Sequence, residues 1–274
     1  MPKISEMKDV KFDGKTYGYV PPKKLTISKK LKLHGKYRKD IDPITYEVVR
    51  HSLWHVNEEH GATIQRISGS PVAMYALDLN PSILTEDGEF VYFGPYMQYM
   101  SGVTDTQVKW ILEYRSDNPG IKDGDMFLAN DPWVGAAHQQ DVMLICPIFW
   151  RGELFCWVTN CLHQYDIGGI TPSSFCGSAE NAYEEGICLP PIKIVEGNEI
   201  RRDIEEAYLR ASRKPDAVAL DFRAHGPHHL HLRVDLLRGQ RAERDRKRRG
   251  RLASRPGPTA RIGRACRSEE RRVG

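Results

Sequence analysis

His138, Asp141 and His163 are the residues whose types and spacing best suit chemistry. Two imidazoles and a carboxylate held close together form a typical ligand set for a divalent metal ion. His163 lies 25 residues after His138, so the chain must fold back on itself before the three side chains can meet. Each histidine alone is better explained as an ordinary hydrogen-bonded side chain. The metal hypothesis therefore depends on the elements that position these residues.

An apolar hairpin supplies the required fold. Its two strands, Val142–Trp150 and Glu153–Leu162, are rich in Val, Ile, Phe, Trp and Leu. Arg151-Gly152 stands between them as a two-residue turn, which is typical of antiparallel strands. The beginning of the first strand and the end of the second must then lie side by side, at the end far from the turn.

The register of this hairpin decides whether the ligands share a face. If pairing starts at the two residues that flank the turn, Asp141 lies opposite Leu162 and His163 lies opposite Gln140. All three candidate ligands then converge at the open end of the hairpin. Strict alternation of side chains, however, places Asp141 and His163 on opposite faces. A metal site therefore requires a bulge or a loop at the open end.

A long helix is predicted near the N-terminus of the patterned region. Asp42 and Pro43 are suited to its N-cap and first position, and Gly61 predicts its end. Apolar residues recur at helical spacing between these limits: Ile44, Val48, Val49, Leu53 and Val56. His51 and His55 share a face of this helix, and we interpret them as exposed side chains because no third ligand is near in sequence.

The remaining patterns predict short strands and a further helix. Alternation over Met74–Asn80 predicts a strand that carries Asp78. Ser82–Leu84 and Glu89–Phe93 predict a second hairpin, and Thr104–Tyr114 predicts a helix. We therefore expect an α+β fold, with an antiparallel sheet built from hairpins and with flanking helices.

Composition and charge divide the chain into three parts. Residues 1–41 form a Lys-rich N-terminal arm, and residues 42–224 form the patterned domain. Residues 225–274 form an Arg-rich tail with 15 Lys+Arg against 5 Asp+Glu, and no aromatic residue follows Phe222. The tail shows no apolar periodicity, which predicts disorder.

Three interpretations of the tail stay open. The favoured one is an out-of-frame or truncated gene. The basic residues change abruptly from mostly Lys to mostly Arg where the tail begins, and a helical pattern stops at the same place. A native disordered tail is the second. The third is a segment that binds nucleic acid through phosphate charge, which we consider the least favoured. A group of histidines in this segment is not interpreted as a metal site: His225, His228, His229 and His231.

Several classes of protein are disfavoured by composition. No run of about 18 apolar residues occurs, so no membrane span is expected. The first residues lack the apolar segment of a secretory signal. Six cysteines form no C-x-x-C pair, which favours a reduced cytoplasmic protein over a disulfide framework. No phosphate-binding P-loop motif is present, so ATP is not expected to bind this chain in that way.

Residues 124–172, GDMFLANDPWVGAAHQQDVMLICPIFWRGELFCWVTNCLHQYDIGGITP, are similar to the B-type subunit of the hydantoinase/oxoprolinase family. Similar flanking motifs are DPITYEVVRHSLWHVNEEHGATIQRISGSP at 42–71 and EEGICLPPIKI at 184–194. The resemblance covers roughly Asp42 to Ala224. Family subunits are substantially longer, so we expect residues 42–224 to be an incomplete, N-terminal piece of such a domain.

The resemblance also implies a ligand set. In the acetone carboxylases of this family the metal is manganese, and the matching positions here are Asp78, His138, Asp141 and His163. Asp78 stands where those enzymes have a glutamate that is one methylene longer. A mixed N/O ligand set favours Mn, with Zn or Fe also compatible. Asp166 and Asp131 are candidate catalytic residues, Asp166 as an orienting partner of His163 or as a base, although either can equally cap a turn.

ATP-dependent activation of a carbonyl or cyclic amide substrate is the activity that the resemblance implies. ATP is expected on a separate nucleotide-binding partner, the hydantoinase A-like subunit, so this chain should be inactive alone. Gln164 and Gln139-Gln140 stand where hydantoinase-type members carry a second His and a Leu-Pro pair. These differences favour ketone carboxylation with bicarbonate over hydrolysis of a cyclic amide. A non-catalytic scaffold subunit that has lost its metal is a further alternative.

Overall fold

The computed structural model describes residues 18–36, 40–100, 102–172 and 174–223. The predicted Arg-rich tail therefore lies outside the described residues, as do residues 1–17 of the predicted arm. None of the five cysteines within these ranges forms a disulfide. None of the helices within them has the length and apolar character needed to cross a bilayer.

Seven strands form one sheet, and the pairing between neighbours is antiparallel. The strands are β1 (Leu79–Thr85), β2 (Phe90–Phe93), β3 (Met126–Ala129), β4 (Asp141–Trp150), β5 (Glu153–His163), β6 (Ile192–Glu196) and β7 (Glu199–Ile200). Their order across the sheet is β2-β1-β5-β4-β3-β6-β7. The helices are α1 (Pro43–Ile67), α2 (Pro71–Ala76), α3 (Thr104–Tyr114), α4 (Arg202–Arg210) and α5 (215–223). The predicted α+β class is confirmed.

Helices cover both faces of the central strands. Cys161 of β5 lies in the apolar cluster that includes α3, whereas its neighbour Leu162 packs with Ile64 of α1 and Ala73 of α2. Adjacent strand residues point to opposite faces, so α3 lies on one side of the sheet and α1 and α2 lie on the other. Burial on both faces explains why the two central strands are almost continuously apolar.

Helix α1 does not end at Gly61, as the sequence predicted, but continues to Ile67. Gly61 is buried, and a Cβ atom there would lie 2.1 Å from Cε2 of Tyr96. The glycine thus allows an aromatic ring to approach the helix rather than ending it. The apolar residues at the start of α1 are exposed, with Ile44 at 71% and Val48 at 56%. The buried residues of the helix lie in its second half: Asn57, His60, Gly61 and Ile64.

The predicted strand over Met74–Asn80 is confirmed only for Leu79 and Asn80 and is wrong for the residues before them. Residues 71–76 form the short helix α2, with Pro71 at its first position. Leu77 then adopts a left-handed conformation with φ 57°, and β1 begins at Leu79. Apolar alternation over so short a segment fits either structure, and proline at the first position favours the helix. Asp78 therefore lies in the turn before a strand, not within one.

The corner between α1 and α2 is tied to α5 by a buried carboxylate. Asp221 accepts hydrogen bonds at one oxygen, Oδ1, from the Ser68 hydroxyl (2.6 Å), the Gly69 amide (2.8 Å) and the Ser70 amide (3.2 Å). Its other oxygen, Oδ2, is buried and has no hydrogen-bond partner within the described ranges. Burial raises the pKa of Asp221 to about 6.

Asp221→Asn is expected to stabilise the fold at neutral pH by up to about 3 kcal/mol. Because the pKa of Asp221 is higher in the folded chain than in the unfolded one, the wild type loses stability as pH rises from about 4 to about 6. The asparagine keeps an acceptor for the three donors and has no charge to desolvate. Urea unfolding at pH 4 and pH 7.5 measures the difference.

The matched control for this change is Asp216→Asn, on the exposed side of the same helix. It should alter stability little at either pH. An Asp221→Asn chain that is less stable than the wild type at pH 7.5 would show that the ionised carboxylate stabilises the corner, contrary to this expectation.

Candidate metal centre

The β4–β5 hairpin places Asp141 directly opposite His163, not opposite Leu162. Pairing at the turn is as the sequence predicted, but a bulge close to the turn adds Phe155 to β5. Every pair beyond the bulge is therefore shifted by one residue, and Asp141 and His163 share a face of the sheet. The bulge that a metal site requires is present, near the turn rather than at the open end.

The candidate ligand atoms converge at this end of the hairpin. Nδ1 of His163 lies 3.4 Å from Oδ1 of Asp141, and Nδ1 of His138 lies 3.6 Å from Oδ2 of Asp141. Two ligands that each lie about 2.1 Å from a shared tetrahedral ion are separated by about 3.4 Å. The observed separations therefore have the size expected between the ligands of one metal ion.

The polar atoms of this group lack partners within the described ranges. Both carboxylate oxygens of Asp141 and the Nδ1 atoms of His138 and His163 are buried and accept or donate no hydrogen bond. A buried carboxylate without a partner is costly, since water no longer solvates its charge. A divalent cation would satisfy all four atoms at once, so these residues fit a metal ion.

The orientation of His163 is set by its second ring nitrogen. Nε2 lies 2.6 Å from the main-chain oxygen of Ser174 and must carry the proton that it donates to that carbonyl. Nδ1 is thereby left with its lone pair directed towards Asp141. Burial lowers the pKa of His163, but the nearby Asp141 carboxylate outweighs this effect, and the pKa lies above its usual value.

Asp78 lies at the edge of the group. Its Oδ2 is 3.6 Å from Nδ1 of His163, while the atoms that lie within 4.8 Å of one another belong to His138, Asp141 and His163. The Tyr99 hydroxyl donates to Oδ1 of Asp78 at 3.4 Å. Burial is the main reason that the pKa of Asp78 is raised. Asp78 is thus placed to complete a ligand set from one side.

The two candidate catalytic aspartates have other partners. Asp166 binds the Arg213 side chain at 2.7 Å and the Arg213 amide at 3.0 Å. Asp131 accepts from the Trp133 amide at 2.9 Å and caps a single helical turn. Neither belongs to the group of converging ligands. The hydrogen-bond partner of Nε2 of His163 is the main-chain carbonyl of Ser174, and Asp166 makes no hydrogen bond to His163 within the described residues.

Three neighbours of the site were missed by sequence reasoning. Tyr99 contacts Asp78, Ser174 contacts His163, and the Phe175 ring packs edge-on against His138 with centroids 5.9 Å apart. Tyr99 lies in a single 3-10 turn, Gln98–Met100, and Ser174 and Phe175 lie in a segment without helix or strand that follows β5. Ser174 acts through its main chain, so its residue type carries no signal.

The hydantoinase B/oxoprolinase family model matches residues 42–226. The chain belongs to this family. The resemblance inferred from the sequence motifs is thereby confirmed. The match includes the whole of the β4–β5 hairpin, so the candidate ligands His138, Asp141 and His163 lie within the residues that match the family.

Named relatives span more than one activity. The chain is 34% identical over 145 residues to the acetophenone carboxylase delta subunit of Aromatoleum aromaticum, covering 52% of this chain and 21% of that one. It is 30% identical over 155 residues to 5-oxoprolinase 1 of Arabidopsis thaliana, covering 57% of this chain and 12% of that one. The nucleotide-free structure of acetone carboxylase matches with a TM-score of 0.68 and 24% identity, over 72% of this chain and 26% of that one. The similarity to acetone carboxylase shows a shared fold. This chain spans about a quarter or less of the length of each of these three proteins.

Proposed function

We propose that this hydantoinase B/oxoprolinase chain is the metal-binding part of a catalytic subunit in an ATP-dependent enzyme that acts on a carbonyl substrate. The observation that carries the proposal is the convergence of His138, Asp141 and His163 with their polar atoms unpartnered. Two relatives support the substrate class, because acetophenone is a ketone and 5-oxoproline is a cyclic amide.

Four side chains would hold the metal: Asp78, His138, Asp141 and His163. Two carboxylates and two neutral imidazoles would balance the charge of a divalent ion, and this N/O set favours Mn, with Zn or Fe as alternatives. When bound, such an ion polarises a carbonyl oxygen as a Lewis acid. Ser174 keeps His163 in the tautomer that can coordinate, and Tyr99 holds a hydroxyl donor beside Asp78.

ATP is proposed to bind a separate hydantoinase A-like subunit. Carboxylation of a ketone with bicarbonate is the favoured reaction. Where hydantoinase-type members carry a second histidine, Gln164 is buried and bonded to the Tyr208 hydroxyl. Gln139 is likewise engaged, with its amide donating to the Ala182 carbonyl at 2.8 Å. Hydrolysis of a cyclic amide remains the alternative, and a scaffold without metal is the third.

Substrate-dependent ATP hydrolysis tests this proposal in the assembly of this chain with its nucleotide-binding subunit. We expect ATP turnover that requires Mn²⁺ and is stimulated by an aromatic ketone together with bicarbonate, with label from bicarbonate fixed into the product. Stimulation by a hydantoin or 5-oxoproline, without bicarbonate, would instead support the amide-hydrolysing alternative. A chain that binds no Mn²⁺, Zn²⁺ or Fe²⁺ would leave only the scaffold.

A further inference from the structure

The main chain of His163 is held in an unusual way at the end of β5. Its amide donates to the Asp78 carbonyl at 3.0 Å, as expected if the antiparallel hydrogen bonds between β1 and β5 continued one pair beyond Leu79 and Leu162. The Asp78 amide does not return the bond, because it turns towards the Val72 carbonyl at 3.4 Å. The buried carbonyl of His163 is met instead by the Ser70 hydroxyl, which donates to it at 2.8 Å. A side chain from the α1–α2 corner thus replaces the missing ladder donor.

Ser70 is itself fixed by its surroundings. Its amide donates to Asp221 at 3.2 Å and to the Ser68 hydroxyl at 3.0 Å, and the residue is fully buried. The corner also packs tightly on α5, since a Cβ atom at Gly69 would lie 2.4 Å from the Ala217 carbonyl oxygen. Helix α5 therefore determines where the Ser70 hydroxyl stands.

We propose that Ser70, anchored by Asp221, is a positioning residue that holds His163 in place at the metal centre. This inference rests on the proposed metal site and adds a link from that site to α5. Loss of the hydroxyl leaves the buried His163 carbonyl without a donor and loosens the end of β5. The imidazole then no longer meets Asp141 at the separation that a shared ion requires, and metal affinity falls.

Ser70→Ala and Ser116→Ala form a matched pair that tests this role. Both remove one buried hydroxyl that makes a hydrogen bond to the main chain, but only the Ser70 hydroxyl contacts His163. Titration of the 274-residue chain with Mn²⁺ should show affinity about tenfold weaker for Ser70→Ala and within about twofold of wild type for Ser116→Ala. Equal losses in the two variants, or no loss in either, would overturn the positioning role.

Amide hydrogen exchange without metal separates this inference from the metal proposal. The amides of His163 and Gln164 donate to Asp78 and Gln140, and their exchange should be about tenfold faster in Ser70→Ala, relative to the amides of β3. Ser116→Ala should leave that ratio unchanged. If the wild type binds no metal, the metal proposal fails while the exchange ratio still decides whether Ser70 positions His163. An unchanged ratio in Ser70→Ala counts against the inference.

Discussion

His163→Ala is expected to weaken binding of Mn²⁺ or Zn²⁺ by roughly 100-fold or more. The variant removes the candidate ligand atom that lies close to both Asp141 and Asp78, and it leaves His138 as the only one of the two imidazoles beside Asp141. Isothermal titration and metal analysis of the purified chain measure the loss. His51→Ala is the matched control, because His51 is an exposed histidine on α1, and its metal affinity should equal that of the wild type.

The same titration should depend on pH in a defined direction. A protonated imidazole cannot bind a metal, so affinity falls as pH is lowered. Since the pKa of His163 is raised, this fall should begin at a higher pH than for an ordinary histidine. Wild-type affinity for Mn²⁺ and Zn²⁺ that survives in His163→Ala would place the metal elsewhere in the chain and contradict the proposed centre.

Lys193→Met is expected to destabilise the chain by about 3–5 kcal/mol. Lys193 lies on β6 with its Nζ atom 2.7 Å from Oδ2 of Asp125, and both side chains are almost completely buried, at 1% and 0% exposure. Methionine has a similar length but no charge, so Asp125 becomes a buried carboxylate without its counter-ion. The loss is a large fraction of the stability of a typical domain. Urea unfolding with a fitted m value measures it.

A second change distinguishes the charge from the packing. Asp125 also accepts the Lys122 amide at Oδ2 (2.8 Å) and the Gly197 amide at Oδ1 (3.1 Å), and the single side-chain oxygen of asparagine can accept one of these two bonds. Because Lys193→Met/Asp125→Asn also removes the buried unpaired charge, it should recover part of the lost stability. If the single variant costs less than about 1 kcal/mol, or if the double variant is the less stable of the two, the ion pair is not the cause.

The sequence by itself determined the elements that have strong local patterns. Turn residues and apolar runs predicted the central hairpin. Ser82–Leu84 falls within β1, and the predicted Glu89–Phe93 differs from the paired strand β2 only by Glu89. The helix Thr104–Tyr114 matches its predicted bounds. Local periodicity suffices in these cases because each element must bury one apolar face whatever its neighbours are. Linked motifs likewise identified the family before any geometry was known.

Only the tertiary structure decided how the candidate ligands meet. The bulge at Phe155 shifts the hairpin by one residue and brings Asp141 opposite His163, and no local pattern reveals an inserted strand residue. Gly61 looks like a helix end in sequence, yet it lies inside α1 because Tyr96 packs against it. The Ser70 hydroxyl bonds the main-chain carbonyl of His163, and the Ser174 carbonyl bonds its imidazole, and neither contact leaves a trace in the spacing of the sequence. Register, close packing and main-chain contacts depend on residues distant in sequence, so they are settled when the chain folds.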